Sequence, residues 1–95
     1  DNIKREHLTV YIWGAGIHGM QSAEYLKRRH VEIKQFFDKD PAKDGIIVWN
    51  GLFCELPKEL EEQNTICIIS VPEKYIEEVK REASCLQFKY ISVFE

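Results

Sequence analysis

Thr9-Val-Tyr-Ile-Trp-Gly-Ala-Gly-Ile-His-Gly-Met20 is an apolar run that breaks into Gly14-x-Gly16-x-x-Gly19 and then into a helical pattern. The order strand, glycine turn, helix matters more than the glycines themselves. A strand that ends in a tight turn and feeds a helix aims unpaired backbone N–H groups, and the positive end of the helix dipole, at one point. That point suits a phosphate. Gly14 permits the turn, Gly16 lets a phosphate approach the backbone, and Gly19 lets the helix pack close to the sheet. Such a loop also asks for an acid about twenty residues further on, to accept hydrogen bonds from a ribose. Asp38 supplies one.

The neighbouring segments extend the same pattern. Residues 8–13 read as a buried parallel strand, and residues 17–29 as a helix with Ile17, Met20, Ala23 and Leu26 facing the sheet. Residues 32–37 form the second strand, more alternating and so more exposed. Asp38-Lys-Asp-Pro-Ala-Lys-Asp-Gly45 is dense in turn formers. Ile46–Trp49 adds a short strand, Asn50-Gly51 is a turn, and Pro57 opens a short helix over Lys58–Glu62. Residues 65–71 are almost continuously apolar, as a central strand should be, and Pro72 ends them. A helix over 73–84 follows, with Tyr75 or Ile76, Val79, Ala83 and Leu86 as its inner stripe, and Lys89–Phe94 makes the last strand. Alternating strands and helices predict an α/β fold with a three-layer parallel sheet and right-handed crossovers. The expected order is 3-2-1-4, half of a doubly wound sheet with the first strand central. Ligand would sit beyond the carboxyl ends of the strands, where Gly14–Gly19, Asp38 and Ser70–Pro72 converge.

The chain has 95 residues, enough for one domain with one core over 1–95. Hydrophobic residues make up 44% and charged residues 31%, an ordinary globular balance. A net charge of −3 argues against a nucleic-acid surface. No apolar run approaches the ~20 residues that span a bilayer, and the polar start shows no signal peptide. Cys54, Cys67 and Cys85 lack metal spacing, which implies reduced thiols, a cytoplasmic setting and no metal. The first residue is Asp1, so the expectation is a domain excised from a longer protein.

Each marked residue has two readings. Gly14, Ala15, Gly16, Ile17, His18 and Gly19 are expected to line a phosphate, or else to form only a tight turn. Asp38 would accept ribose hydroxyls, favouring NAD over NADP, or serve as a turn residue; Asp40 is the alternative acid. Lys39 is placed in the site, and Lys39 or Lys43 would meet a phosphate. Ser70, Val71 and Pro72 complete the rim, with Ser70 offering a hydroxyl to ribose or phosphate. Tyr75 either stacks on a base or packs inward. His18 is the one catalytic candidate, as a base or hydrogen-bond donor, against an exposed first-turn position. His7 and His30 read as surface residues, Trp13 and Trp49 as packing, and Glu59, Glu61 and Glu62 as a solvated helix face. There is no P-loop, zinc pattern or nucleophile elbow. Tyr75 and Lys80 are five apart, on different helix faces, unlike the Tyr and Lys one turn apart that a self-contained epimerase needs.

Tyr11-Ile-Trp-Gly-Ala-Gly-Ile-His-Gly19, Phe36-Phe-Asp-Lys-Asp-Pro-x-Lys-x-Gly45 and Leu56-Pro-Lys-Glu-Leu60 together resemble a family of small Rossmann domains. These stand at the front of bacterial sugar-nucleotide-modifying enzymes and are attached to transferases of surface-polysaccharide pathways. Gly16-Ile-His-Gly19 is similar to the Gly-Gly-His-Gly loop of sialic-acid and bacillosamine acyltransferases, with Ile17 where that family has a small residue. The resemblance implies a nucleotide-sugar contact at His18 and backbone phosphate contacts along Gly14–Gly19. The expected function is therefore binding of NAD or a nucleotide-sugar, as one part of a larger transferase-type chain. These residues alone are not expected to turn over a substrate. The rivals are the cofactor domain of an NAD-dependent dehydratase, epimerase or oxidoreductase, an S-adenosylmethionine methyltransferase domain, and an interaction module that has lost its ligand. An exposed last strand would also leave an edge for a homo-oligomer.

Overall fold

A computed structural model describes residues 2–94. The elements run α1 (Asn2–Arg5), β1 (Thr9–Trp13), α2 (Ile17–Arg28), β2 (Ile33–Phe37), a 3-10 turn (Pro41–Lys43), β3 (Ile47–Trp49) and β4 (Leu52–Glu55). They continue with β5 (Thr65–Ile69), a second 3-10 turn (Glu73–Tyr75), α3 (Ile76–Ser84) and β6 (Tyr90–Val93). All six strands join one sheet in the order β3-β4-β2-β1-β5-β6. Only the β3–β4 pair is antiparallel. The fold is mixed α/β, and no described helix is long and apolar enough to cross a membrane.

β1 sits inside the sheet because it can bury both faces. Its pairing with β5 is unbroken from Thr9↔Thr65 to Trp13↔Ile69. Val10 and Ile12 point to one side, into a core with Phe36, Ile66 and Ile68 that Ala23 and Leu26 of α2 cover. Tyr11 and Trp13 point to the other, into a core with Phe37, Cys67 and Ile69 that Val79 and Ala83 of α3 cover. The single inserted residue in β2, opposite Val10 and Tyr11, lets Ile33 and Phe36 share the α2 side while Phe37 takes the α3 side. Strand β2 is thus more buried at its end than its alternation suggests.

Four expectations change. The sheet holds six strands rather than the five expected, because Ile46–Trp49 and the following residues form a hairpin; its second strand, β4, takes the place beside β2 that the order 3-2-1-4 gave to Ile46–Trp49, which becomes the antiparallel edge. Asn50 and Gly51 turn that hairpin with φ of 46° and 82°, the paired left-handed conformation that a two-residue connection requires. No helix forms over Lys58–Glu62. Five residues make too few backbone bonds to offset helix nucleation, and tertiary contacts win. Leu60 packs on the core under α3, while Glu62 accepts hydrogen bonds from the Tyr11 hydroxyl and from Lys34 at 2.8 Å. Glu62 is therefore not part of a solvated helix face.

The inner stripe of α2 is also rotated. It comprises Gly19, Ser22, Ala23 and Leu26, and Ile17 is 76% exposed. Gly19 must face the sheet for the helix to approach it. That sets positions three, four and seven residues later inward and leaves Ile17, about 200° away, outside. Finally, the predicted helix over 73–84 divides into a 3-10 turn and α3. Ile76, rather than Tyr75, joins Val79 and Ala83 on its inner side, since Tyr75 remains 44% exposed.

Candidate functional site

The three loop glycines have different physical reasons. Gly14 has φ of +124°, and a Cβ there would lie 2.1 Å from the Ser70 carbonyl oxygen. A Cβ at Gly19 would lie 1.8 Å from the Gly14 carbonyl oxygen and 3.5 Å from the Phe36 ring. Packing alone demands both. Gly16 is different: its backbone is ordinary extended, with φ −101° and ψ −154°, and a Cβ there would meet only Lys43 Nζ at 3.9 Å. Neither conformation nor packing requires a glycine at this point. Gly16 is also the N-cap of α2, with no side chain capping the helix and no acid in its first turn. The opening amides of α2 therefore lack a side-chain acceptor beside an unfilled space.

The loop backbone is held from two directions. Gly14 N–H donates to the Phe37 carbonyl at 2.8 Å, and Ala15 N–H donates to Asp38 Oδ2 at 2.9 Å. Asp38 Oδ1 accepts from Asp40 N–H at 2.9 Å, and Lys43 Nζ stands 3.6 Å from Oδ2. Asp38 therefore lies where the sequence places it, at the end of β2, but its carboxylate ties the glycine loop to the following turn. Asp40, the alternative acid, caps the 3-10 turn by accepting from Ala42 N–H at 3.0 Å. Lys39 turns away to Glu82 of α3, at 3.0 Å, and this partner raises its pKa.

Ser70 also does something other than expected. Its N–H donates to the Trp13 carbonyl at 2.9 Å, and its buried hydroxyl donates to Ser22 Oγ at 2.7 Å. Ser22 in turn donates to the Gly19 carbonyl at 3.0 Å. This relay fixes α2 to the end of β5 behind the loop, so the Ser70 hydroxyl does not face the site. Val71 and Pro72 do reach it. With Trp13, Asp38, Lys39 and Tyr75 they line a cleft of about 350 Å³ at the carboxyl ends of the strands. A hollow of about 420 Å³ between Lys27, His30 and Trp49 lies at the far end of α2 and shares none of these residues.

His18 and Ile17 are exposed on the first turn of α2. Among the described residues no hydrogen bond or ion pair involves the His18 side chain, so nothing orients its ring for proton transfer. No group of His, Cys, Asp and Glu among the described residues has the geometry to hold a metal ion. Cys54, in the α2-side core near Asp38, has its thiol pushed up to about 11, first by burial and then by that carboxylate.

The arrangement thus brings together Gly14–Gly19, Asp38, Lys39, Val71 and Pro72 and sets the Ser70 hydroxyl behind them. Lys43 comes forward: an Asp-Pro start followed by one 3-10 turn folds the third residue back over the strand end, a placement legible only from the turn geometry. Comparison with known proteins gives no matching family model and no matching curated sequence.

Proposed function

We propose that this chain is a Rossmann-like nucleotide-binding domain that seats the phosphates of NAD or a nucleotide-sugar over Gly14–Gly19. The observation that carries the reading is Gly16. Its missing side chain leaves open space at an uncapped helix start, with Lys43 beside it, although the fold would accept a larger residue there. A phosphate fits that combination of free amides, positive dipole end and cation. The parallel strands in the order β4-β2-β1-β5 support the half-doubly-wound reading, in which ligand lies at the carboxyl edge where the chain reverses direction. The adjoining cleft with Tyr75 on its rim has room for a base or sugar. The larger protein would be a cytoplasmic transferase-type enzyme of sugar-nucleotide or surface-polysaccharide metabolism, with its reacting groups outside these residues.

A thermal-shift panel of NAD, NADP, UDP-sugars, CMP and S-adenosylmethionine tests the reading. A ligand at ~100 times its dissociation constant adds ~2.7 kcal/mol of apparent stability. The best binder also names the ligand class. Absence of any shift would refute nucleotide binding and leave an interaction module that keeps the fold.

A further inference from the structure

We infer that Lys43, and not Lys39, is the cation that contacts the ligand's phosphate, leaving Asp38 for it on binding. The inference rests on the nucleotide-binding reading above and specifies its chemistry.

The two lysines differ in what they would give up. Lys39 Nζ is 3.0 Å from Glu82 Oε1, a direct hydrogen-bonded ion pair that carries it towards α3. Lys43 Nζ is 3.6 Å from Asp38 Oδ2, beyond direct hydrogen-bond reach. Asp38 does not depend on Lys43, because Ala15 N–H and Asp40 N–H each serve one of its oxygens at 2.9 Å. Moving the ammonium therefore leaves the carboxylate bonded and the glycine loop pinned. The backbone beneath Lys43 is fixed: Lys43 N–H donates to the Asp40 carbonyl at 3.0 Å, and Asp40 caps the same turn. Only the flexible stem has to swing. Its tip already lies 3.9 Å from the position a Cβ would take on Gly16, so it borders the gap that the glycine leaves. A phosphate in that gap would receive a compact, charged donor from the side opposite α2. The ligand class is then a compound whose phosphate or pyrophosphate lies against Gly16. Asp38, already occupied, acts as a positioning residue for the loop.

The test is calorimetric titration with sodium pyrophosphate, NAD and UDP-glucose as probes, on wild type and on Lys43→Gln, Lys43→Arg, Lys39→Gln and Gly16→Val. The inference expects Lys43→Gln to weaken the probe that wild type binds by roughly tenfold to a hundredfold, the loss of one hydrogen bond to a charged group. Lys43→Arg should restore most of the affinity, Lys39→Gln should stay within about twofold, and the melting temperature of Lys43→Gln should match wild type. Wild-type affinity in Lys43→Gln, or equal losses in the two Gln variants, overturns the assignment of Lys43. In either case nucleotide binding still stands if Gly16→Val abolishes it. If wild type binds none of the three probes, both the assignment and the reading beneath it fall.

Discussion

Gly16→Asp separates the two reasons a glycine can occupy a loop. Where packing requires the glycine, any side chain destabilises the protein. Where a ligand requires it, a well-chosen side chain stabilises the free protein and destroys binding. The extended backbone at Gly16 admits an L-residue, and a Cβ would meet only Lys43 Nζ at 3.9 Å. An aspartate there gains a few tenths of a kcal/mol as a better N-cap than glycine. Its charge at the positive end of α2 adds about 0.3–1 kcal/mol. Replacing glycine restricts the unfolded chain, worth about 0.4–1 kcal/mol at a compatible position. Repulsion from Asp38 opposes this, but Lys43 stands next to both positions. The sum is a stabilisation of about 1–2 kcal/mol, or roughly 5–10 °C in midpoint for a domain this size. Urea unfolding followed by the emission of Trp13, only 2% exposed, measures it directly. On the proposed reading the same variant should bind no nucleotide, because its carboxylate would occupy the position given to the phosphate. A lower midpoint would mean the loop backbone is not as described. A higher midpoint with undiminished binding would mean the ligand lies elsewhere.

Three further outcomes follow from other contacts. Gly19→Ala, whose Cβ would sit 1.8 Å from the Gly14 carbonyl oxygen, should cost about 3 kcal/mol or more in the same urea assay, against less than about 1 for Gly16→Ala. Ser70→Ala and Ser22→Ala each leave a buried hydroxyl or carbonyl short of a partner and should cost about 1–3 kcal/mol. The double variant should cost clearly less than the sum, and strict additivity would deny the relay. Tyr11, pushed up to about 12 by burial and then by Glu62, is held neutral in the fold. A group whose folded pKa is raised stabilises below its unfolded value, about 10 for tyrosine, and that stability is lost as pH rises towards 12. Unfolding midpoints across pH 8–12 should therefore fall above about 10 in wild type, with a shallower fall in Tyr11→Phe. Parallel curves would show that other groups, such as the Cys67 thiol raised by burial, carry the alkaline limb.

The parts of the molecule with strong periodicity were the legible ones. The unbroken apolar runs of β1 and β5 announced interior strands, and the glycine spacing announced a strand–turn–helix junction. Side-chain direction was harder to read. Ile17 belongs to an apolar stripe by residue type, yet Gly19 sets the rotation of α2 through contact with Gly14, a constraint that hydropathy does not carry. Strand β4 is not legible in the sequence although Asn50-Gly51 between apolar residues signals a hairpin, because its four residues follow a three-residue partner and neither shows a full period. The irregular stretch from Leu56 to Asn64 lay beyond local reading altogether. Glu62 is drawn out of a helix by Tyr11, 51 positions away. Sequence order places Asp38 at the end of β2 but does not give its partners, and it does not choose between Lys39 and Lys43, of which the turn brings Lys43 beside Gly16. Which cation faces Gly16 depends on one 3-10 turn rather than on residue type.

The clamping of the loop has a kinetic consequence. Phe37, Asp38 and the Ser70–Ser22 relay hold Gly14, Ala15 and Gly19 through contacts made within the chain itself. On the proposed reading, a phosphate arriving there would order only the Lys43 side chain, and association would require no slow rearrangement of backbone. Ligands that share this anchor should then differ little in how fast they arrive. Their discrimination should lie in how long they stay, governed by the contacts that base or sugar makes along Trp13, Val71 and Tyr75.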